Sequence, residues 1–390
     1  MENLAAKYES KLVRDNLARP GKVLFGTLDA EVAWHGETSR AADLAPLFDS
    51  LSINTVLLAE PAEPYRAIIQ RLATKSLGAI LPQDCETRTF LHDLPVAASV
   101  EARHTGAALA HRKGVVTTGG MIVTTGTVSP EQAYVTFSSI CFACFVKFFS
   151  DCLEAAANGF LGDGEKRILR AVWSDVFEKP SCGEDVRMFR TGPFETIQAA
   201  LTALEEAGRA TVEDGLVDSY FGNVSCLVND TLLISQTGSS LDELAGFVDA
   251  CPMDKSSCAA ITASSELPAH REIVSNTPYR AVLHGHPRFS VVLSMACEKT
   301  HCPCRGRCHV DCPEKRFVCG APIVPGEVGG GPKSLWRTVP SAVAEHGVAV
   351  VHGHGVFAAG EKDFNQAFRA LVQIEDCCRE QVRMTLEKVM

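Results

Sequence analysis

Ala281-Val282-Leu283-His284-Gly285-His286-Pro287 is a short apolar run that ends in two histidines one residue apart. Side chains at i and i+2 of an extended segment point to the same face, so His284 and His286 aim their imidazoles at one point. That is how two ligands of one metal ion are presented. A second pair, His352-Gly353-His354, ends the run Val348-Ala349-Val350-Val351, and Ser264-Ser265-Glu266 stands just before a helical pattern. Three neutral imidazoles with an open or carboxylate-filled fourth position form a catalytic rather than a structural zinc geometry. Such an ion polarises a ketose carbonyl and stabilises an adjacent enediolate, while Glu266 beside it moves a proton. Spacing alone does not choose between His352 and His354 as the third histidine.

These groups must be carried by strands that end together beside a helix start. A helix from Phe194, with Ile197, Leu201 and Leu204 on one face, leads through Gly215 to Tyr220-Phe221-Gly222-Asn223-Val224-Ser225. A strand, Thr231-Leu232-Leu233-Ile234-Ser235, ends at Gln236-Thr237-Gly238-Ser239-Ser240. Ser264 and Ser265 precede a helix through His270 and Ile273 with Pro268 in its first turn; their hydroxyls fit N-capping, and a helix start is also an anion site. Further upstream come a helix from Arg103, a strand at Val115-Val116, a turn at Thr118-Gly119-Gly120, a second strand and a long helix from Pro130 to Ala157. Ser129 fits its N-cap, and Asn158 to Gly164 breaks the pattern.

The two halves carry a degenerate repeat. Thr55-Val56-Leu57-Leu58-Ala59-Glu60-Pro61 lies over Ala281 to Pro287, and Val115 to Gly120 over Val350 to Gly355. Leu58, Glu60 and Gly119 then stand where the second half has His284, His286 and His354. The expected organisation is an α/β domain without ligands over residues 20–160, a linker over 161–190 and the site-bearing domain over 191–390.

Residues from about Phe194 to Met390 resemble the class II aldolase and adducin amino-terminal superfamily, which includes fuculose-phosphate and rhamnulose-phosphate aldolases. The resemblance rests on Gly222-Asn223-Val224-Ser225, Leu232 to Gly238, Ser264-Ser265-Glu266, Ala281 to His286 and His352-Gly353-His354-Gly355, in that order and spacing. It implies an α/β fold with a mostly antiparallel sheet between helices, and a degenerate second copy in the amino-terminal half. It also implies a zinc or other divalent ion on His284, His286 and His354, with Glu266 as general acid/base. Asn223, Thr237, Gly238, Ser264 and Ser265 are implied as phosphate-binding residues. The activity implied is aldol or retro-aldol cleavage of a small phosphorylated ketose-like substrate. Other members carry out epimerisation, dehydration or decarboxylation, and adducin-like modules bind without turnover. Relatives are homo-oligomers with sites between subunits, so a homo-oligomer is expected here.

The chain departs from the family pattern in two places. Tyr220-Phe221 replaces the small residues usual before Gly-Asn and would crowd the phosphate pocket. An insertion over residues 297–319 carries six of the sixteen cysteines. Cys302, Cys304, Cys308 and Cys312 could clamp a second metal, as a structural zinc or an iron-sulfur cluster, because a short loop without a core is ordered by metal; free or redox-sensitive thiols are the rival reading. Cys141-Phe142-Ala143-Cys144 has redox-motif spacing but lies among Phe137, Phe145 and Phe148, which suits buried thiols. Gly326 to Pro332 resembles a phosphate loop only superficially and reads as a flexible active-site loop.

Composition bounds the rest. At 390 residues two domains are expected, and 46% apolar with 22% charged residues is ordinary for a globular protein. A net charge of −10 without clustered Lys and Arg argues against nucleic acid as partner. The start has no apolar leader and no run reads as long enough to span a bilayer, so a cytoplasmic protein without a membrane partner is expected, its cysteines as thiols or metal ligands.

Overall fold

The structure is a computed structural model that describes residues 1–178, 187–218, 220–299, 301–327 and 329–390. It divides into two compact units, Met1–Lys179 with Val389–Met390, and Pro180–Lys388. Both are α/β, each a mostly antiparallel sheet flanked by helices.

In the amino-terminal unit the strands are β1 (Ala18–Leu28), β2 (Val32–Gly36), β3 (Thr55–Pro61), β4 (Ala79–Ile80), β5 (Leu94–Ala97), β6 (Gly114–Thr117) and β7 (Ile122–Gly126). They lie in the order β2-β1-β3-β7-β6-β5-β4, and only β5 and β6 run parallel. The carboxy-terminal unit has β8 (Asn223–Val228), β9 (Thr231–Ser235), β10 (Val248–Pro252), β11 (Ala281–Gly285), β12 (Arg316–Val318), β13 (Ala321–Val324), β14 (Val348–Val351) and β15 (Gly355–Gly360). Their order is β10-β9-β8-β11-β15-β14-β13-β12, with β13 and β14 the parallel pair. Removing the edge strand β10 leaves the same order and the same parallel joint in both sheets.

The ladders refine the repeat. Leu58 on β3 and His284 on β11 are equivalent, since Thr55 pairs with Gly126 as Ala281 pairs with Gly360. Val123 then corresponds to Phe357, so Val115 falls on Ala349, one residue away from the alignment expected from sequence. Gly120, not Gly119, therefore occupies the place of His354. A match between two runs of valine cannot fix a register that hydrogen bonds fix. Leu58 is buried in the core with Leu24, Val56 and Val123, and Glu60 is paired with Arg19 at 2.5 Å and Arg66 at 2.9 Å. Packing and an ion pair stand where the second half has His284 and His286.

The expected linker is helical over Asp163–Phe177, with Leu169, Val172, Val176 and Phe177 buried, while residues 179–186 lie outside the described residues. Asn158 to Gly164 joins the helix Pro130–Ala157 to the helix Asp163–Phe177, and the division between the two units, at Lys179/Pro180, falls within the expected linker. The helix Pro130–Ala157 is long and apolar enough to cross a membrane by length and composition, contrary to the sequence reading, yet most of it is buried inside its unit. Cys141 and Cys144 are buried there, and burial pushes the Cys144 thiol up to about 12.

One buried carboxyl in this unit makes stability depend on pH. Asp84 caps the helix Cys85–Leu91 by accepting from the Thr87 amide at 2.7 Å, and from the Thr87 hydroxyl. Burial pushes its carboxyl up to about 6, above an ordinary 3.8. A raised folded value means stability that is full below about pH 4 and lost as pH rises through about 6. Relative to Asp84→Asn, which caps but cannot ionise, the wild type should lose about 3 kcal/mol between pH 4 and pH 7. Parallel denaturant titrations check this; a difference that is flat with pH contradicts it.

Candidate metal centre

All five residues of β11 are buried, because the strand lies between β8 and β15 with helices over the sheet. Its end projects His284 and His286 toward the turn that carries His354, which links β14 to β15. The three histidines are 1%, 3% and 6% exposed, and their ligand nitrogens lie within 4.8 Å of one another. Among the described residues this is the one group of three or more His, Cys, Asp or Glu side chains that converges so; His354 joins it and His352 does not. His284 Nδ1 lies 3.0 Å from the Val356 carbonyl, to which it donates, so the lone pair of Nε2 is left for a cation. His286 Nε2 lies 3.0 Å from His284 Nε2, and both point at the same place.

Glu266 closes the group. Its Oε1 is 3.3 Å from His354 Nε2 and its Oε2 3.4 Å from His284 Nε2. Burial pushes the His284 imidazole down to about 4 and His286 well below its ordinary range. Burial acts on Glu266 in the opposite sense, but the charge of His284 and the bonds from His354 and Asn223 outweigh it and hold the carboxyl well below the usual range. Near neutral pH His284 and His286 are therefore neutral imidazoles beside one carboxylate, and with His354 they form a donor set that fits a divalent cation.

Two glycines let the backbone come this close. A Cβ on Gly222, where φ is +78°, would stand 2.3 Å from the His284 carbonyl oxygen. One on Gly355 would stand 2.4 Å from the Gly285 oxygen and about 3 Å from ring carbons of His284 and His286 (2.9 and 3.0 Å). The rings are also held flat: Phe357 stacks on His284 at 4.0 Å and Phe221 on His286 at 5.5 Å. Phe221, expected to crowd a phosphate pocket, thus packs against His286.

The residues expected to bind phosphate lie on adjoining turns, joined by a bridge between Gln236 and Ala263. Thr237 donates its hydroxyl to the Ala263 carbonyl at 3.0 Å, Ser265 is exposed, and Gly238 has φ +71° with open space at its Cβ position. The serines do not cap the helix Leu267–Asn276 as expected. Glu266 occupies the N-cap, and Ser264 instead accepts from the Glu266 amide at 3.3 Å, which pins the turn holding the carboxylate. Asn223 differs most from expectation: its Nδ2 donates to Glu266 at 2.7 Å and its Oδ1 accepts from His270 Nε2 at 2.5 Å.

Sequence reasoning missed His270, Ser225 and Glu375. His270 was legible in principle, four residues after Glu266 and so on the same helix face. Glu375, on the helix Phe364–Glu387, accepts from the amides of Phe289 and Ser290 at 2.9 Å each and from the Ser290 hydroxyl at 2.7 Å. It caps the helix Arg288–Met295, whose Ser294 hydroxyl accepts from the Gly353 amide at 2.8 Å beside His354. Burial pushes the Glu375 carboxyl up, against the pull of these bonds. Glu375→Ala should destabilise the carboxy-terminal unit by about 2 kcal/mol, through lost charge-assisted bonds to a helix start. Denaturant unfolding of the full chain measures it, and an unchanged transition contradicts it.

Among the described residues the cysteine insertion shows no comparable convergence. Cys302, Cys304, Cys308 and Cys312 are half-buried, and their sulfurs do not converge as a ligand group; Thr300 lies outside the described residues. Cys319 is neither thiol nor metal ligand but forms a disulfide with Cys377, which ties the β12–β13 turn to the helix Phe364–Glu387. The expectation that the cysteines are thiols or metal ligands is corrected there: the partners are 58 residues apart in sequence, and only the fold sets them 6.1 Å apart at Cα.

A search of curated protein sequences finds no match. Among solved structures, an L-fuculose-1-phosphate aldolase from Thermus thermophilus is similar at 23% identity and TM-score 0.39, over 49% of this chain and 98% of its own. YgbL of Escherichia coli, a candidate aldolase/epimerase/decarboxylase, is similar at 19% and 0.40, over 47% and 88%. A sugar-phosphate aldolase from Thermotoga maritima is similar at 17% and 0.36, over 49% and 97%. Residues 202–382 match the profile of the Class II Aldolase and Adducin N-terminal domain, a span that holds Asn223, Glu266 and all three converging histidines. This carboxy-terminal segment belongs to the class II aldolase and adducin amino-terminal domain family.

Proposed function

We propose that the carboxy-terminal unit carries out metal-dependent aldol or retro-aldol cleavage of a small, phosphorylated ketose. The observation that carries this reading is the buried set of His284, His286 and His354 facing the carboxylate of Glu266. A zinc or other divalent ion held by the three imidazoles would polarise a substrate carbonyl. Glu266, ionised and fixed by Asn223, takes or returns the proton beside that carbonyl. Thr237, Gly238, Ser264 and Ser265 receive the phosphate, on turns next to the start of the helix Leu267–Asn276.

The test is product analysis of the full chain on a panel of ketose phosphates. Release of an aldehyde and a shorter phosphorylated ketone supports the reading. An epimer, a dehydrated product or carbon dioxide assigns the centre to another reaction. No turnover, with a folded protein that holds no metal, assigns it to an adducin-like binding role. Cys302, Cys304, Cys308 and Cys312 would supply a second zinc or an iron-sulfur cluster only by closing around it. A metal equivalent that survives loss of the histidine site but not Cys304→Ser and Cys308→Ser together supports that assignment.

A further inference from the structure

We propose that Ser225, His270 and Asn223 form a buried positioning relay that sets the orientation of Glu266. Asn223 and Ser225 stand at i and i+2 on one face of β8. Glu266 and His270 stand at i and i+4 at the start of the facing helix. These four side chains form one chain of contacts: Ser225 Oγ to His270 Nδ1 at 2.7 Å, His270 Nε2 to Asn223 Oδ1 at 2.5 Å, and Asn223 Nδ2 to Glu266 Oε2 at 2.7 Å.

A single arrangement of protons satisfies this chain. Glu266 is an acceptor, so Asn223 must turn its NH2 toward it and its carbonyl oxygen toward His270. That oxygen accepts only if His270 carries its proton on Nε2. His270 Nδ1 then has a lone pair, which the Ser225 hydroxyl fills. His270 and Ser225 are fully buried and Asn223 is 5% exposed, so water cannot stand in for a lost member. Removing the Ser225 hydroxyl leaves the buried Nδ1 lone pair of His270 without a donor and takes away one of the two bonds that hold the ring. With the ring free to shift, the bond from Nε2 to Asn223 Oδ1 loosens and the amide no longer holds the Glu266 carboxylate in one orientation.

The degenerate copy supports a joint role. In the amino-terminal sheet the ladders place Leu24 at the position of Asn223 and Gly26 at that of Ser225, alongside Leu58 at that of His284. Relay positions and a ligand position have been replaced together.

The inference rests on the reading of Glu266 as the proton-transferring group, and its test has an arm that does not. Long-range 1H–15N NMR on the full chain labelled at histidine reports the His270 tautomer. The wild type should show the proton on Nε2 alone, and Ser225→Ala should keep its zinc content unchanged. On a ketose phosphate that the wild type cleaves, Ser225→Ala should lower kcat about 10–100-fold with KM within about twofold, and Ser225→Thr should recover most of the loss. A wild-type His270 protonated on Nδ1, or on both nitrogens, overturns the relay without recourse to any variant. So does a Ser225→Ala protein whose kcat is unchanged. If no ketose phosphate is cleaved, the proposed activity fails and the tautomer still decides the relay.

Discussion

Glu266→Gln should lower turnover about 10²–10⁴-fold while the metal stays bound, the range that loss of a general acid/base produces. Glutamine keeps the shape of the side chain, and its carbonyl oxygen can still accept from Asn223 Nδ2, so the relay and the turn at Ser264 survive. The lost feature is a group that can exchange a proton within reach of the triad; Glu266 lies 3.3 Å from His354 and 3.4 Å from His284. Steady-state kinetics with metal analysis on one preparation reads both quantities. Turnover within tenfold of wild type would remove Glu266 from the chemistry, and loss of the metal together with turnover would make it a ligand instead.

Gly355→Ala should abolish stoichiometric metal binding and destabilise the carboxy-terminal unit by about 3 kcal/mol, at the upper end of the cost of overpacking. The added methyl would meet the Gly285 carbonyl at 2.4 Å and ring carbons of His284 and His286 at 2.9 and 3.0 Å. None of these can retreat. Gly285 belongs to a strand hydrogen-bonded on both sides, and the His284 ring lies against Phe357 while its Nδ1 holds the Val356 carbonyl. Gly330→Ala is the control, since nothing lies within 4 Å of its Cβ position. Metal analysis and denaturant unfolding of both variants measure the effect; a Gly355→Ala protein with full metal content would show that the rings are not held where the structure places them.

The strands of the site were legible because burial on both faces leaves continuous apolar runs, and the i, i+2 histidine pair could only be read as two groups on one face. The order of strands in the amino-terminal sheet was legible only through the repeat. Its register was not, because Val115-Val116 matches Val350-Val351 as well as the pairing that the ladder adopts, Ala349-Val350. Three features had no local signal. The Cys319–Cys377 bond and the cap that Glu375 provides to Phe289 and Ser290 join residues far apart in sequence. Asn223 was read through its motif as a phosphate ligand, and its bonds to Glu266 and His270 had no signal in that motif. A motif names the residues near a site without saying which of their atoms face it. The helix Asp163–Phe177 was hidden for a simpler reason: the glycines at 162 and 164 read as a continuing break, when one helix ends and another starts there.

The proposed chemistry depends most on a divalent ion held by His284, His286 and His354. Elemental analysis of the purified full chain, beside His284→Ala prepared identically, tests it most directly. The prediction is one equivalent of zinc or another divalent metal per chain at the histidine centre, absent from His284→Ala although that variant remains folded. A wild type that is free of metal and fully active would contradict it, as would a His284→Ala protein that binds its metal undiminished.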